Sequence, residues 1–142
     1  MNCREAMTDN PVCCLPGDSV GQAARLMRRE RVGPVPVVSD EQTKEIIGII
    51  TDRDLAIKVV AESRDANRTT VGDVMTHTIE VCREDDDLSS AVAAMEEYQI
   101  RSIPVIDQRG RLVGIISRAD VATRFYEATT TSRAVREISR AA

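Results

Sequence analysis

Thr51 and Ser117 each stand three residues ahead of an aspartate, Asp54 and Asp120, in the segments Thr51-Asp52-Arg53-Asp54 and Ser117-Arg118-Ala119-Asp120. That spacing supports two chemistries in one geometry. In a capping box, hydroxyl and carboxylate satisfy free backbone N–H groups at a helix start, and the acid also opposes the positive end of the helix dipole. Alternatively, the carboxylate accepts hydrogen bonds from two adjacent ribose hydroxyls while the hydroxyl and helix N-terminus hold a neighbouring polar group. The residues alone leave both open.

Little else in the chain could do chemistry. Cys3, Cys13, Cys14 and Cys82 show no Cys-x-x-Cys spacing, and His77 is the lone histidine, so a zinc site would need distant pieces. The thiols read as small apolar residues in a reducing cytosol, although Cys14 and Cys82 fall at equivalent points of a repeat described below and invite a symmetric redox pair. There is no Gly-x-Ser-x-Gly elbow, Walker loop or His-Glu-x-x-His helix. The expectation is a protein that is not an enzyme and requires no metal or cofactor.

Composition narrows the partners. With 142 residues, 42% hydrophobic and 30% charged, the chain can bury a core. Nineteen basic against 23 acidic residues leave a net charge of −4, which argues against clamping phosphate backbones. Aromatics amount to 2%, namely Tyr98, Phe125 and Tyr126, too few for stacking platforms on single strands. Arg25, Arg28, Arg29 and Arg31 lie largely on the polar side of an amphipathic helix and read as a solvated face. No apolar run reaches the roughly 18 residues of a membrane span, and the opening Met1-Asn2-Cys3-Arg4-Glu5 is not that of a secretory signal. A cytoplasmic location is expected.

The elements that must position the two acids are written twice. Ala6-Met7-Thr8 is echoed by Val74-Met75-Thr76, a shift of 68 (75 minus 7). Val20, Ala23, Ala24 and Met27 map at the same shift onto Leu88, Ala91, Val92 and Met95; both sets follow i, i+3, i+4, i+7, one apolar helical face, which places Met27 and Met95 in the core. Asp18 and Asp86 precede these helices and are expected to cap them. Val35-Pro36-Val37-Val38 and Ile103-Pro104-Val105-Ile106 read as buried strands, followed by polar turns and by Ile46-Ile47-Gly48-Ile49-Ile50 and Leu112-Val113-Gly114-Ile115-Ile116. The last pair is shifted by 66 (114 minus 48), the two-residue difference falling in a hairpin turn. The hydroxyl-to-acid segments then open second helices bearing Leu55 and Val59, or Val121 and Phe125.

With short strands at residues 12–15 and 79–82, the expected fold class is α+β: two β-α-β-β-α repeats packed as a pseudo-twofold pair. Residues 1–65 form the first repeat, 66–70 a polar linker, 71–126 the second repeat, and 127–142 a tail with amphipathic helical character. About 55 residues bury little alone, so the halves must share surface.

This order of parts, Met-Thr, helix, apolar-Pro-apolar strand, then Gly-Ile-Ile-[Thr/Ser]-x-x-Asp, occurring in both copies over residues 7–126, resembles the tandem cystathionine β-synthase (CBS) domain pair, or Bateman module. The resemblance implies a non-catalytic regulatory module that binds an adenine nucleotide or other adenosyl ligand, such as AMP, ADP, ATP, S-adenosylmethionine or NAD, in clefts between repeats. It also implies a disc-shaped homodimer acting on a further protein partner, and it assigns the aspartates to ribose. Pocket one would combine Ile49, Thr51 and Asp54 with Thr78, Ile79, Ile100, Arg101, Ser102 and Pro104, Arg101 meeting phosphate. Pocket two would combine Ile115, Ser117 and Asp120 with Val12, Val32, Gly33 and Pro36. Gly33 and Pro34 stand there where pocket one has Arg101 and Ser102, so pocket one is the expected nucleotide site, with Arg53 or Arg118 left to supply charge in pocket two. On this reading Asp54→Ala weakens nucleotide binding. The rival reading is a structural dimerisation or partner-docking protein without ligand.

Overall fold

In a computed structural model, which describes residues 1–124, the chain runs α1 (Cys3–Ala6), β1 (Thr8–Asp9), α2 (Val20–Glu30), β2 (Val35–Val38), β3 (Ile46–Ile50) and α3 (Asp52–Leu55, continued by a π turn over Ala56–Val60). It continues through α4 (Val71–Val74), β4 (Cys82–Arg83), α5 (Leu88–Glu97), β5 (Ser102–Ile106) and β6 (Leu112–Ser117), and residues 118–124 are helical. Phe125, Tyr126 and the expected tail helix lie outside the described residues.

The twice-written apolar faces become α2 and α5, burying Val20, Ala23 and Met27 in one and Leu88, Ala91 and Met95 in the other. Their caps are not the expected Asp18 and Asp86. Ser19 caps α2, its Oγ accepting from the Gln22 N–H at 3.1 Å while Gln22 Oε1 accepts from the Ser19 N–H at 2.8 Å; Asp87 caps α5, accepting from the Ser89 N–H at 2.9 Å. Asp18 and Asp86 instead accept the N–H groups of Leu15 and Arg83, each at 2.9 Å. One position further out, a short carboxylate reaches back into its own turn more readily than into the helix.

The Ser89 backbone N–H, aided by its hydroxyl, holds the Asp87 carboxyl below its ordinary value, and Thr70 does the same for Asp73. Because these folded values are depressed, their stabilisation is complete above the unfolded carboxylate range near 3.9 and is lost as pH falls through the lower folded values. Denaturant titrations below about pH 4 should therefore show falling stability. Asp87→Asn, which caps without titrating, should make that fall shallower; an unchanged slope would remove Asp87 from the account.

Both expected hairpins form. β2 pairs antiparallel with β3, from Val35 opposite Ile50 to Val38 opposite Ile46, and β5 pairs with β6, from Ser102 opposite Ser117 to Ile106 opposite Leu112. Of the expected first strands, only fragments pair. Residues 12–15, bracketed by Pro11 and Pro16, contribute a single parallel bridge, Cys14 to Val37, and residues 79–82 enter the sheet only at Cys82. Proline lacks the N–H that a longer ladder needs. The sheets are β1-β6-β5-β4 and β2-β3.

β1 belongs to the sheet of the second half, Thr8 opposite Ile115 and Asp9 opposite Gly114. The equivalent residue Thr76 returns the exchange, its N–H and C=O both bonding Ile49, at 2.8 and 3.0 Å. The cores follow the same exchange: Cys3 and Ala6 pack with Cys82, Met95 and Ile103, whereas Val71, Val74 and Met75 pack with Val20, Val35 and Ile50. Residues 66–70 are not a free tether, because Thr69 is buried and the carbonyls of Ala66 and Thr69 accept from Gly21 and Val20 at the start of α2.

Gly48 is required by this exchange. A Cβ there would lie 2.9 Å from the Thr76 carbonyl oxygen, a backbone atom that cannot swing aside. Gly48→Ala should cost about 1–3 kcal/mol through overpacking, read by urea denaturation; a variant as stable as the parent would show that the crossing strands can part.

Candidate functional site

The exchange leaves a cleft where the end of β6 faces the segments before and after α2. It is a cavity of about 530 Å³ lined by all seven pocket-two residues, Val12, Val32, Gly33, Pro36, Ile115, Ser117 and Asp120. That volume lies within the range of about 300–1,000 Å³ of small-molecule sites. The proline, valine and isoleucine side chains supply apolar walls, and Thr8, Asn10, Glu30, Arg31, Ser102, Ser117 and Asp120 supply polar groups.

Asp120 and Ser117 form the capping pair anticipated from their spacing: Asp120 Oδ2 accepts from the Ser117 N–H at 3.2 Å, and Ser117 Oγ accepts from the Asp120 N–H at 3.0 Å. Both side chains remain half-buried and line the cavity. Capping therefore leaves the Asp120 carboxylate with unused acceptor capacity, since an ionised carboxylate accepts about four hydrogen bonds.

Sequence reasoning missed Thr8, Asn10, Pro11, Glu30 and Arg31, which complete the lining together with Pro34, already placed in pocket two, and Ser102, expected in pocket one. Thr8 carried a signal, being the echo of Thr76, and enters through the β1–β6 pairing. Arg31 carried none beyond adjacency to Val32. It terminates α2 in the left-handed conformation, φ 56°, its N–H closing on the Met27 carbonyl, which brings it to the cavity rim. Arg118, one of two residues expected to supply charge here, turns its guanidinium to the Met95 carbonyl at 3.4 Å, and Arg53 is exposed outside the lining.

The acid of pocket one has a different setting. Asp54 is 8% exposed. It accepts from the Thr51 N–H at 3.0 Å and the Thr76 hydroxyl at 3.3 Å, and ion-pairs with Lys58 Nζ at 3.0 Å; that ammonium also donates to the Val74 carbonyl at 2.9 Å. Ile49 is bridged to Thr76, Arg101 and Thr78 are exposed, Ile79 and Ile100 are half-buried, and Pro104 is buried in β5. The structure thus gathers pocket two around one cavity and commits Asp54 to neighbours within its own half and the exchanged α4 segment.

The cysteines do not form the symmetric pair their spacing suggested. Cys14 is buried in the first core, and Cys82 is buried in the second beside Cys3. Burial pushes the Cys14 thiol up to about 11 and raises Cys3, Cys13 and Cys82 as well. Since the thiolate is the reactive form, all four should react slowly with a disulfide reagent at neutral pH and quickly after unfolding. Rapid native labelling of Cys14 or Cys82 would contradict this burial. Among the described residues, no group of three or more His, Cys, Asp or Glu could hold a metal, and no helix is long and apolar enough to cross a membrane.

The CBS domain family model matches the chain twice, at residues 3–61 and 71–127. Hypoxic response protein 1 of Mycobacterium tuberculosis is 32% identical over 124 residues, covering 87% of this chain and 85% of that protein. The CBS domain-containing protein YhcV of Bacillus subtilis is 32% identical over 136 residues, covering 96% and 94%. The chain spans only 57% of MK0525 of Methanopyrus kandleri, with 34% identity over 118 residues and 83% of this chain covered. The crystal structure of hypoxic response protein I with two coordinated zinc ions superposes with a TM-score of 0.78 at 31% identity, covering 87% of this chain and 98% of that one. CBSX2 in complex with AMP superposes at 0.78 with 26% identity, covering 90% and 98%. The CBS domain pair of MJ0100 in complex with 5′-methylthioadenosine and S-adenosyl-L-methionine gives 0.77 at 25% identity, also covering 90% and 98%. With its duplicated helix-and-hairpin unit and two family matches, the chain belongs to the CBS domain family and carries the two repeats as a tandem pair.

Proposed function

We propose that this protein is a non-catalytic regulatory module that binds an adenosyl ligand, such as AMP, ADP, ATP or S-adenosylmethionine, in the cavity around Asp120. Residues 1–65 and 71–126 act as the two repeats joined by 66–70. The observation that carries the reading is the half-buried Asp120 carboxylate, bonded to one backbone N–H and otherwise facing an apolar-walled cavity built by both halves. Asp120 accepts the ribose hydroxyls, the walls formed by Val12, Val32, Pro36 and Ile115 enclose the base, and Arg31 meets an anionic group at the rim. Support also comes from related CBS pairs, one solved with AMP and another with methylthioadenosine and S-adenosylmethionine. Because walls come from both halves, a ligand that binds one relative arrangement better shifts the pair toward it. The module works in the cytoplasm as a homodimer and passes this change to a protein partner.

A second reading, a ligand-free dimerisation or docking protein, is favoured by one observation, the closure of Asp54 by Lys58 and Thr76. A thermal-shift panel of adenine ligands separates the two. Ligand at about 100 times its dissociation constant adds about 2.7 kcal/mol, roughly 5–10 °C for a chain of this size. A flat panel would leave the docking reading standing.

A further inference from the structure

We infer that the cavity around Asp120 selects an adenosyl ligand that carries no phosphate and bears positive charge, an S-adenosyl sulfonium with an amino-acid tail, and that Glu30 and Arg31 make the selection. The inference deepens the adenosyl-binding function proposed above and rests on it.

The charges around the cavity carry it. Of the described residues lining the cavity, Glu30 and Asp120 are acidic and Arg31 is basic, two negative charges against one positive. Glu30 and Arg31 are also the last residue and the C-cap of α2, so the cavity is bordered by the end of an 11-residue helix at which the dipole is negative. A further carboxylate, Asp52, lies against Gly33, where a Cβ would be 3.1 Å from its Oδ1. Gly33 is the counterpart of Arg101, so the position that holds a guanidinium in one repeat abuts an acid in the other. Arg29 pairs with Glu30 at 3.1 Å, but both side chains are exposed, and an exposed pair offsets little of the field.

Phosphate binding also needs donors, and this wall withholds them. Pro11, Pro34 and Pro36 have no N–H. The N–H groups of Arg31 and Val32 both close on the Met27 carbonyl, that of Asn10 donates to the Val113 carbonyl, and that of Ser117 donates to Asp120. The Arg118 guanidinium donates to the Met95 carbonyl. A phosphate brought here loses its hydration, finds the Arg31 guanidinium, and faces two carboxylates and the carbonyl end of a helix. A sulfonium ligand meets the opposite conditions. Its ribose hydroxyls donate to Asp120, the ammonium of its tail pairs with Glu30, the tail carboxylate pairs with Arg31, and the surplus negative charge stabilises the sulfonium.

Isothermal titration calorimetry on the full chain tests this with S-adenosylmethionine, S-adenosylhomocysteine, adenosine and AMP at about 50 mM and about 500 mM salt. S-adenosylmethionine should bind about 10-fold or more tightly than AMP at low salt, with S-adenosylhomocysteine, which lacks the sulfonium charge, between them. High salt should narrow the gap. Glu30→Lys should weaken S-adenosylmethionine about 10-fold, leave adenosine within about 3-fold, and tighten AMP, a gain that loss of fold cannot produce. Arg31→Asn, in which asparagine tolerates the left-handed end of α2, should weaken both tailed ligands and spare adenosine. AMP binding the parent as tightly as S-adenosylmethionine, or an unchanged ligand order in Glu30→Lys, overturns the charge selection while leaving the adenosyl reading intact. Failure of all four compounds to bind the parent overturns the adenosyl reading itself, and the inference with it.

Discussion

Asp120→Ala is expected to weaken adenosyl-ligand binding roughly 10- to 100-fold, about 1.5–3 kcal/mol, the cost of losing a charge-assisted contact. Calorimetry with AMP, and with S-adenosylmethionine if AMP is silent, measures it directly. The informative control is Asp54→Ala. Asp54 holds an ion pair with Lys58 and hydrogen bonds with Thr51 and Thr76, so its removal strands a cation and two donors. A fully buried pair broken in this way costs about 3–5 kcal/mol; the Lys58 side chain is 43% exposed, which discounts the expectation to about 1.5–3 kcal/mol. Asp54→Ala should therefore lower the melting temperature and leave ligand affinity nearly unchanged. If affinity instead falls in Asp54→Ala and not in Asp120→Ala, the ligand occupies the other cleft and the assignment made here is reversed.

The second large effect concerns where the chain can be cut. Every residue of the first core lies between Cys14 and Met75, whereas the second core joins Cys3 and Ala6 to residues from Cys82 onward. A fragment of residues 1–65, the repeat as its sequence boundaries define it, lacks Val71, Val74 and Met75, which are 0%, 2% and 8% exposed in the intact chain. Burial of side chains of this size stabilises by about 1.5–3 kcal/mol each, so their combined loss rivals the entire stability of a small domain, about 5–15 kcal/mol. Residues 10–76 retain that whole core. Circular dichroism with urea titration should show a cooperative transition for 10–76 and little folded population for 1–65. Equal behaviour of the two fragments would mean that α4 contributes less than its burial implies.

The duplicated i, i+3, i+4, i+7 pattern, the apolar-Pro-apolar strands and the hydroxyl-to-acid spacing are local features, governed by helical period, strand alternation and the reach of a side chain to its own backbone. The helices, hairpins and capping pairs at Thr51 and Ser117 follow from them. The aspartate caps were misplaced by one residue because a carboxylate beside a helix start can close either of two adjacent turns, and periodicity does not distinguish them.

Tertiary structure decided what surrounds each acid. Asp54 and Asp120 have matching local sequences, yet Lys58 and Thr76 close on the first while Thr8, the counterpart of Thr76, lines the open cleft beside the second. The Lys58 contact is a local i,i+4 pair, but the two threonines come from segments more than twenty residues from their acid in one case and more than one hundred in the other, where no spacing rule operates and only packing sets the distance. The same holds for Arg31, delivered to the rim by the left-handed end of α2, and for the exchange of α1 and α4 between cores. Composition, elements and family were written in the order of the residues; the cleft exists only because the two halves cross.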